Sequence, residues 1–344
     1  MEKKRIARRQ FLVYSGLATA GTVLAACQPQ VVEKIVKETV QVEVEKVVKE
    51  TVVVKEEVQK EVTKVVEKVV EKQVGGIKNV AREQTLILYF GGTGGTWSRG
   101  GVCNPYAISG WTHQDGDAAT IEGCQYYSAF ADKFMPWLVE KETWSADYKE
   151  LKLAVRKGVE WSDGEPFTAK DIVFTMNMLI QYAPKLRNSG RVKEWVKEVK
   201  ATDDYTVVIT FNSPQPRFYF DYLTFKFDTG IYIIPEHIYK DVQDVTTFTF
   251  FDVDKGWPVV TGPYKYTYFT NMQKFLDRRD DWWAAKTGFA KLPEPERILV
   301  IPMADDTKAA QLSINNAVDA CLDLRPNTIK TILEQNPKVF AHSM

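Results

Sequence analysis

Two carboxylates, Asp163 and Glu165, stand beside Trp161 in the run RKGVEWSDGEPFTAKDIVFTM, residues 156–176. Paired acids next to an indole are the raw material of general acid–base chemistry, including hydrolysis of a glycosidic bond. Acids this close on one turn are poorly placed to flank a sugar, which needs about 5 to 9.5 Å between carboxyl groups. Each polar residue of the stretch also has a local structural task. Asp163-Gly164 suits a turn with positive φ. Thr168 and Asp171 have the spacing of a capping box, with an acid one carbon shorter than the usual Glu. The stretch therefore reads as scaffold: strand, turn, capped helix.

Two further constellations invite chemistry. GGTGGTW (91–97) follows an apolar strand, as a phosphate loop would, but no Lys-Ser/Thr follows at the required spacing. His113, Asp115 and Asp117 could begin a metal site, but the chain has 3 His and no second one is near. Neither a cofactor nor a metal is expected. Net charge is zero, with 45 basic and 45 acidic residues. That balance argues against nucleic acid, which requires a concentrated positive surface.

The elements that must position these residues alternate in type. TLILYF (85–90) is a continuous apolar strand, and ELKLAVRKGV (150–159) alternates as a half-buried one. Ile172, Val173, Met176, Leu179 and Ile180 recur with helical spacing. VKEVKATDDYTVVITF (196–211) reads as a hairpin turning at Asp203-Asp204, and a short helix starts at Pro235. TGPYKYTYFT (261–270) and KFLDRRDDWW (274–283) form a second hairpin. ERILVIPMADDTKAAQLSINNAVDACLDL (296–324) reads strand, helix, strand. The class is α/β with a mixed sheet.

The N-terminus is an export signal. Basic residues 3–9 precede a short apolar stretch, 11–26, that is too short and glycine-rich to span a membrane. Arg8-Arg9 before Gln10-Phe11-Leu12 resembles a twin-arginine signal, with a Sec signal as the alternative. Leu24-Ala25-Ala26-Cys27 resembles a bacterial lipobox, which makes Cys27 the lipid attachment point. Two or more acyl chains would anchor the protein firmly to the outer face of the cytoplasmic membrane. Residues 31–74 then change material: Val, Glu and Lys with no Gly, Pro or aromatic. Val58, Val62, Val65 and Val69 suit a heptad seam, and Glu33–Lys37, Glu45–Lys49 and Glu56–Lys60 are favourable helix pairs. This spacer reads as either a helix, coiled-coil-forming and reaching roughly 65 Å, or a disordered tether. In an oxidising compartment Cys103 and Cys124 could pair, leaving Cys321.

LKLAVRKGVEWSDGEPFTAKDIVFT resembles the hallmark segment of the family 5 extracellular solute-binding proteins, the peptide, nickel and oligosaccharide receptors of ABC importers. MPWLVEKETWSADYKE, VVTGPYKYTYF with DRRDDWW, and PEPERILVIPMADDTKAAQLSINNAVDA resemble three more of its segments, in the family's order. In the last, Asn316-Ala317-Val318-Asp319 lacks the family's glycine. The resemblance implies a periplasmic-binding-protein-like fold (type II, cluster C) with two lobes around a cleft. It divides the chain into signal (1–27), spacer (28–76), first-lobe segment (77–115), inserted subdomain (116–260) and first-lobe return segment (261–344). The chain then stops before the opposite lobe, as an N-terminal fragment would. By resemblance the function is capture without catalysis: an oligopeptide is bound outside the cell and handed to ABC permease subunits. An oligosaccharide is the alternative ligand, and a lipid-anchored surface hydrolase the alternative of another class. Trp97, Asn104, Tyr106, Trp111 and Trp257 are the residues expected at the ligand.

Overall fold

The structure is a computed structural model that describes residues 77–341 apart from 93, 98–101, 108–116 and 227–228. The signal, Arg8, Arg9, Cys27 and the spacer lie outside the described residues, as does Trp111. All that is described belongs to one compact unit, Val58–Met344.

Three sheets organise it. The first has five strands: β1 (Thr85–Tyr89), β9 (Tyr264–Phe269), β10 (Lys274–Arg278), β11 (Arg297–Ile301) and β12 (Ala320–Cys321). Their order is β12-β1-β11-β10-β9. β1 is parallel to both neighbours, with Thr85 opposite Arg297 and Leu88 opposite Ala320. β10 is antiparallel to β11 and to β9. The apolar run of β11, RILVI, is buried at its first four positions, as expected of a strand covered on both faces. β10 buries charge as well: Arg297 and Asp277, opposite one another in the register, form an ion pair with Nη2–Oδ2 at 2.8 Å.

The second sheet is antiparallel, in the order β4-β5-β7-β6: β4 (Val139–Trp144), β5 (Glu150–Val155), β6 (Val196–Asp203) and β7 (Thr206–Phe211). β5 alternates, with Leu151, Leu153 and Val155 inward and Glu150 and Lys152 in water. Helix α1 (Ala169–Tyr182) covers the inner face with Ile172, Met176 and Leu179, all fully buried. Each such side chain contributes about 1.5–3 kcal/mol on burial. The capping box expected at Thr168 is formed: the Thr168 amide donates to Asp171 Oδ2 at 2.8 Å, and Thr168 Oγ1 accepts from the Lys170 amide at 3.3 Å. A short helix α2 (Ser189–Trp195) follows. The third sheet joins β2 (Gln125–Ser128) to β3 (Lys133–Pro136) and, in parallel, to β8 (Thr224–Phe225). Helices α3 (Glu236–Tyr239), α4 (Trp283–Lys286), α5 (Asp306–Ile314) and α6 (Pro326–Gln335) complete the unit.

The five-stranded sheet therefore draws on residues 85–89 and 264–321, and the other two sheets on 125–225. Gly262 lies where these parts meet. Its amide donates to Thr120 O at 3.0 Å, and a Cβ there would lie 2.6 Å from Ala119 O. Only glycine allows the backbones to come this close. Cys103 and Cys124 are both buried, and no disulfide joins them, which decides the pairing the sequence left open. Burial pushes the Cys124 thiol up to about 12.

Candidate functional site

The turn that opened the reading is built into the scaffold. Gly164 has φ of 91°, as the Asp-Gly pair requires, and the Trp161 amide donates to Glu165 O at 2.8 Å. The Ser162 amide donates to Val260 O at 2.9 Å, and the Val260 amide returns a bond to Ser162 Oγ at 3.1 Å. The turn thus clamps the chain that leads into β9. Asp171 is buried; besides its cap it accepts the Glu236 amide at 3.0 Å, which fixes the start of α3. Burial raises its carboxyl, and these amide donors act the other way. Asp163 meets His237 at 2.8 Å, a partner 74 residues away that local reading of the sequence could not supply. Glu165 is exposed. Asp163 is thus held by a histidine of α3 and Asp171 by two backbone amides.

The carboxyl ends of β1, β11 and β12 have a different character. In open sheets with parallel strands, ligands gather there, at points where neighbouring connections leave in opposite directions. The chain leaving β11 enters α5 and returns as β12 on the far side of β1, which makes the end of β1 such a point. Gly91, Gly92, Gly94 and Gly95 all have positive φ there. At Gly92 a Cβ would lie 2.6 Å from Pro302 Cβ, so the loop lies tight on the segment after β11. The two segments are laced together: the Met303 amide donates to Gly91 O at 2.8 Å and the Gly95 amide to Met303 O at 3.0 Å. The Ala304 amide donates to the Tyr89 hydroxyl at 2.8 Å, and Asp305 caps α5 by accepting the Lys308 amide at 2.8 Å.

Trp97 ends this loop. Its amide donates to Asn271 O at 2.9 Å, and its ring is 6.0 Å from that of Phe269. The buried Lys274 ammonium lies 4.4 Å from the centre of the indole, a cation–π contact. The Trp97 Nε1–H is buried and meets no acceptor among the described residues. Such a donor costs stability unless something supplies an acceptor. Sequence reading missed Lys274: its strand, KFLDR, carries three charged residues in five, and nothing local singles out the buried lysine.

The other expected residues are placed as follows. Asn104 is fully buried; its Nδ2 donates to Val245 O at 2.8 Å and to Phe248 O at 2.9 Å, and its Oδ1 accepts the Tyr106 amide at 3.0 Å. Tyr106, also buried, donates its hydroxyl to Tyr232 O at 2.7 Å. Asn104 holds the loop after β1 against residues 245–248, and Tyr106 holds it against Tyr232. Trp257 is half-buried, with ring contacts to Phe248 at 5.7 Å and Phe250 at 5.6 Å, and the Lys255 ammonium at 4.6 Å. It borders an open groove with His237, Asp241, Gln243 and Asp244. The structure brings Asn104, Tyr106 and the segment before Trp257 together; Trp97 lies at the end of the sheet.

A sequence model of the bacterial extracellular solute-binding proteins, family 5 (its middle region), matches residues 133–343. The match spans more than half of the chain, which belongs to this family. Its members are extracellular or periplasmic solute-binding proteins. Protein XP55 of Streptomyces lividans is 30% identical over 187 residues, 54% of this chain and 30% of the relative. The oligopeptide-binding protein AppA of Bacillus subtilis is 25% identical over 200 residues, 56% of this chain and 35% of the relative. The chain therefore spans about a third of the length of these curated relatives. Among solved structures, a periplasmic oligopeptide-binding protein of an ABC transporter from Thermotoga maritima aligns with a TM-score of 0.62 at 24% identity, covering 74% of this chain and 44% of that one. The same Thermotoga protein, solved with mannohexaose bound, aligns with a TM-score of 0.60. The fold is that of a periplasmic-binding-protein-like mixed-sheet lobe.

Proposed function

We propose that the chain is the ligand-capturing part of an ABC importer receptor, taking oligopeptides outside the cell and passing them to permease subunits. Arg8 and Arg9 direct export, and Cys27 carries the lipid that holds the protein to the outer face of the cytoplasmic membrane. Residues 28–76 then hold the binding unit away from that surface. The observation that carries the reading is the loop 91–97 at the carboxyl end of β1: a glycine-rich backbone ending in an indole N–H that meets no acceptor among the described residues. Movement of this loop would bring the Trp97 donor to the ligand. Trp111 and Trp257 supply further ring faces, and Asn104 and Tyr106 fix the shape of the loop between them. That the chain captures rather than transforms its ligand rests on family membership.

An oligosaccharide is the second reading, favoured by the mannohexaose bound to the Thermotoga protein and by the half-buried ring of Trp257. Sugar rings stack on such faces. The test is thermal denaturation of the full chain against a panel of oligopeptides and mannooligosaccharides. A ligand at a hundredfold excess over its Kd stabilises by about 2.7 kcal/mol. A shift with peptides supports the first reading, a shift with sugars alone the second. No shift with either overturns the receptor.

A further inference from the structure

Glu122 is a carboxylate 2% exposed, held by three tryptophans. Its Oε1 accepts from Trp137 Nε1 at 2.8 Å and from Trp282 Nε1 at 3.2 Å, and its Oε2 accepts from Trp283 Nε1 at 2.7 Å. The Thr261 hydroxyl donates as well. Glu122 and Trp137 flank β2 and β3; Thr261, Trp282 and Trp283 come from the segment that carries β9, β10 and α4. One carboxyl group therefore stitches together two parts of the chain that build different sheets.

The charged groups around it do not neutralise it by contact. Arg279 donates Nη1 to Val260 O at 3.1 Å and to Gly262 O at 3.0 Å, and its Nε faces Asp281 at 3.4 Å. Its guanidinium and Glu122 influence each other only through the field. On the other side, Arg156 donates Nε to Trp137 O and lies 4.1 Å over the Phe289 ring, which stacks on Trp283. The Tyr126 phenol, raised by burial, accepts the Gly123 amide at 3.4 Å. The Lys286–Glu160 pair lies at the far end of α4.

We propose that Glu122 is a proton-operated clasp on this seam: proton uptake holds the seam shut, and proton loss favours its opening. The sign follows from linkage. Burial raises the Glu122 carboxyl to about 7 in the closed seam, more than the indole donors lower it. Opening admits water and returns it toward the ordinary value near 4.5. The closed state thus binds more protons between these limits, and acid favours it. Over pH 6 to 8 the opening constant changes about tenfold.

The test is hydrogen exchange at the amides of Trp137 and Val139, both of which donate to Cys124 O beside the clasp. After correction for intrinsic exchange, opening is about tenfold more frequent at pH 8 than at pH 6. Tryptophan fluorescence of the full chain titrates with a midpoint near neutrality. Glu122→Gln abolishes both effects. Trp283→Phe keeps a ring on Phe289 but removes one donor to the carboxylate, and moves the fluorescence midpoint upward. A wild-type protein whose corrected exchange is flat between pH 6 and 8 overturns the proposal, even if neither variant folds. So does a Glu122→Gln variant that keeps the wild-type pH response. Solute binding enters neither readout, so a failure here leaves the receptor reading intact.

Discussion

Two glycine-bearing turns of this molecule look alike in sequence and differ in what their polar groups do. The turn 161–168 carries acids, and the structure commits Asp163 to His237 and the adjoining Asp171 to the Thr168 and Glu236 amides. The loop 91–97 carries no acid and ends in an indole donor that meets no acceptor among the described residues; the buried Trp161 indole N–H at the start of the turn meets none either. Chemistry-bearing residue types are thus a poor guide to function here. The difference lies in the acids and the backbone: the turn's carboxylates are committed within the chain, whereas the loop is a run of positive-φ glycines ending in an indole beside Lys274.

If that contrast is right, changes in the turn lose stability and leave the affinity of the folded protein alone, while changes in the loop do the reverse. The largest effect is expected at Asp171→Ala, which strands two backbone donors. At about 1–3 kcal/mol for each buried donor left unmet, urea unfolding should show a loss of about 3 kcal/mol. A variant as stable as wild type would break the scaffold side of the comparison. Gly262→Ala forces a Cβ to 2.6 Å from a backbone oxygen that cannot yield, and a loss of about 1–3 kcal/mol is expected in the same assay. Thr168→Ala removes one half of the capping box and should cost about 1 kcal/mol. Trp97→Phe retains a ring beside Lys274 and removes the unmet donor. Its melting temperature should change least of the four.

Much of this fold was legible in the sequence because its signals are local. The capping box, the Asp-Gly turn, the period of α1, the alternation in β5 and the strand–helix–strand of β11, α5 and β12 each declare themselves within a few residues. The hairpin of β6 and β7 turns one position later than expected, at Asp204-Tyr205. What was not legible depends on distant residues meeting. Glu122 is separated from Trp283 by 161 residues and Asp163 from His237 by 74, and no period or spacing records either meeting. The same holds for Asn104 and Tyr106. Their types suggested a ligand, whereas their polar atoms are bonded to backbone carbonyls more than a hundred residues on. Gly262 was legible as a motif but not as a cause; the reason for glycine is the carbonyl of Ala119.

The account rests on Trp97 meeting solute at the end of β1, and calorimetric titration of the full chain and its Trp97→Phe variant tests this most directly. The account predicts that the wild type binds an oligopeptide and that the variant, equally stable, binds it about tenfold more weakly, the equivalent of 1.4 kcal/mol. Equal affinity in the two proteins would contradict it.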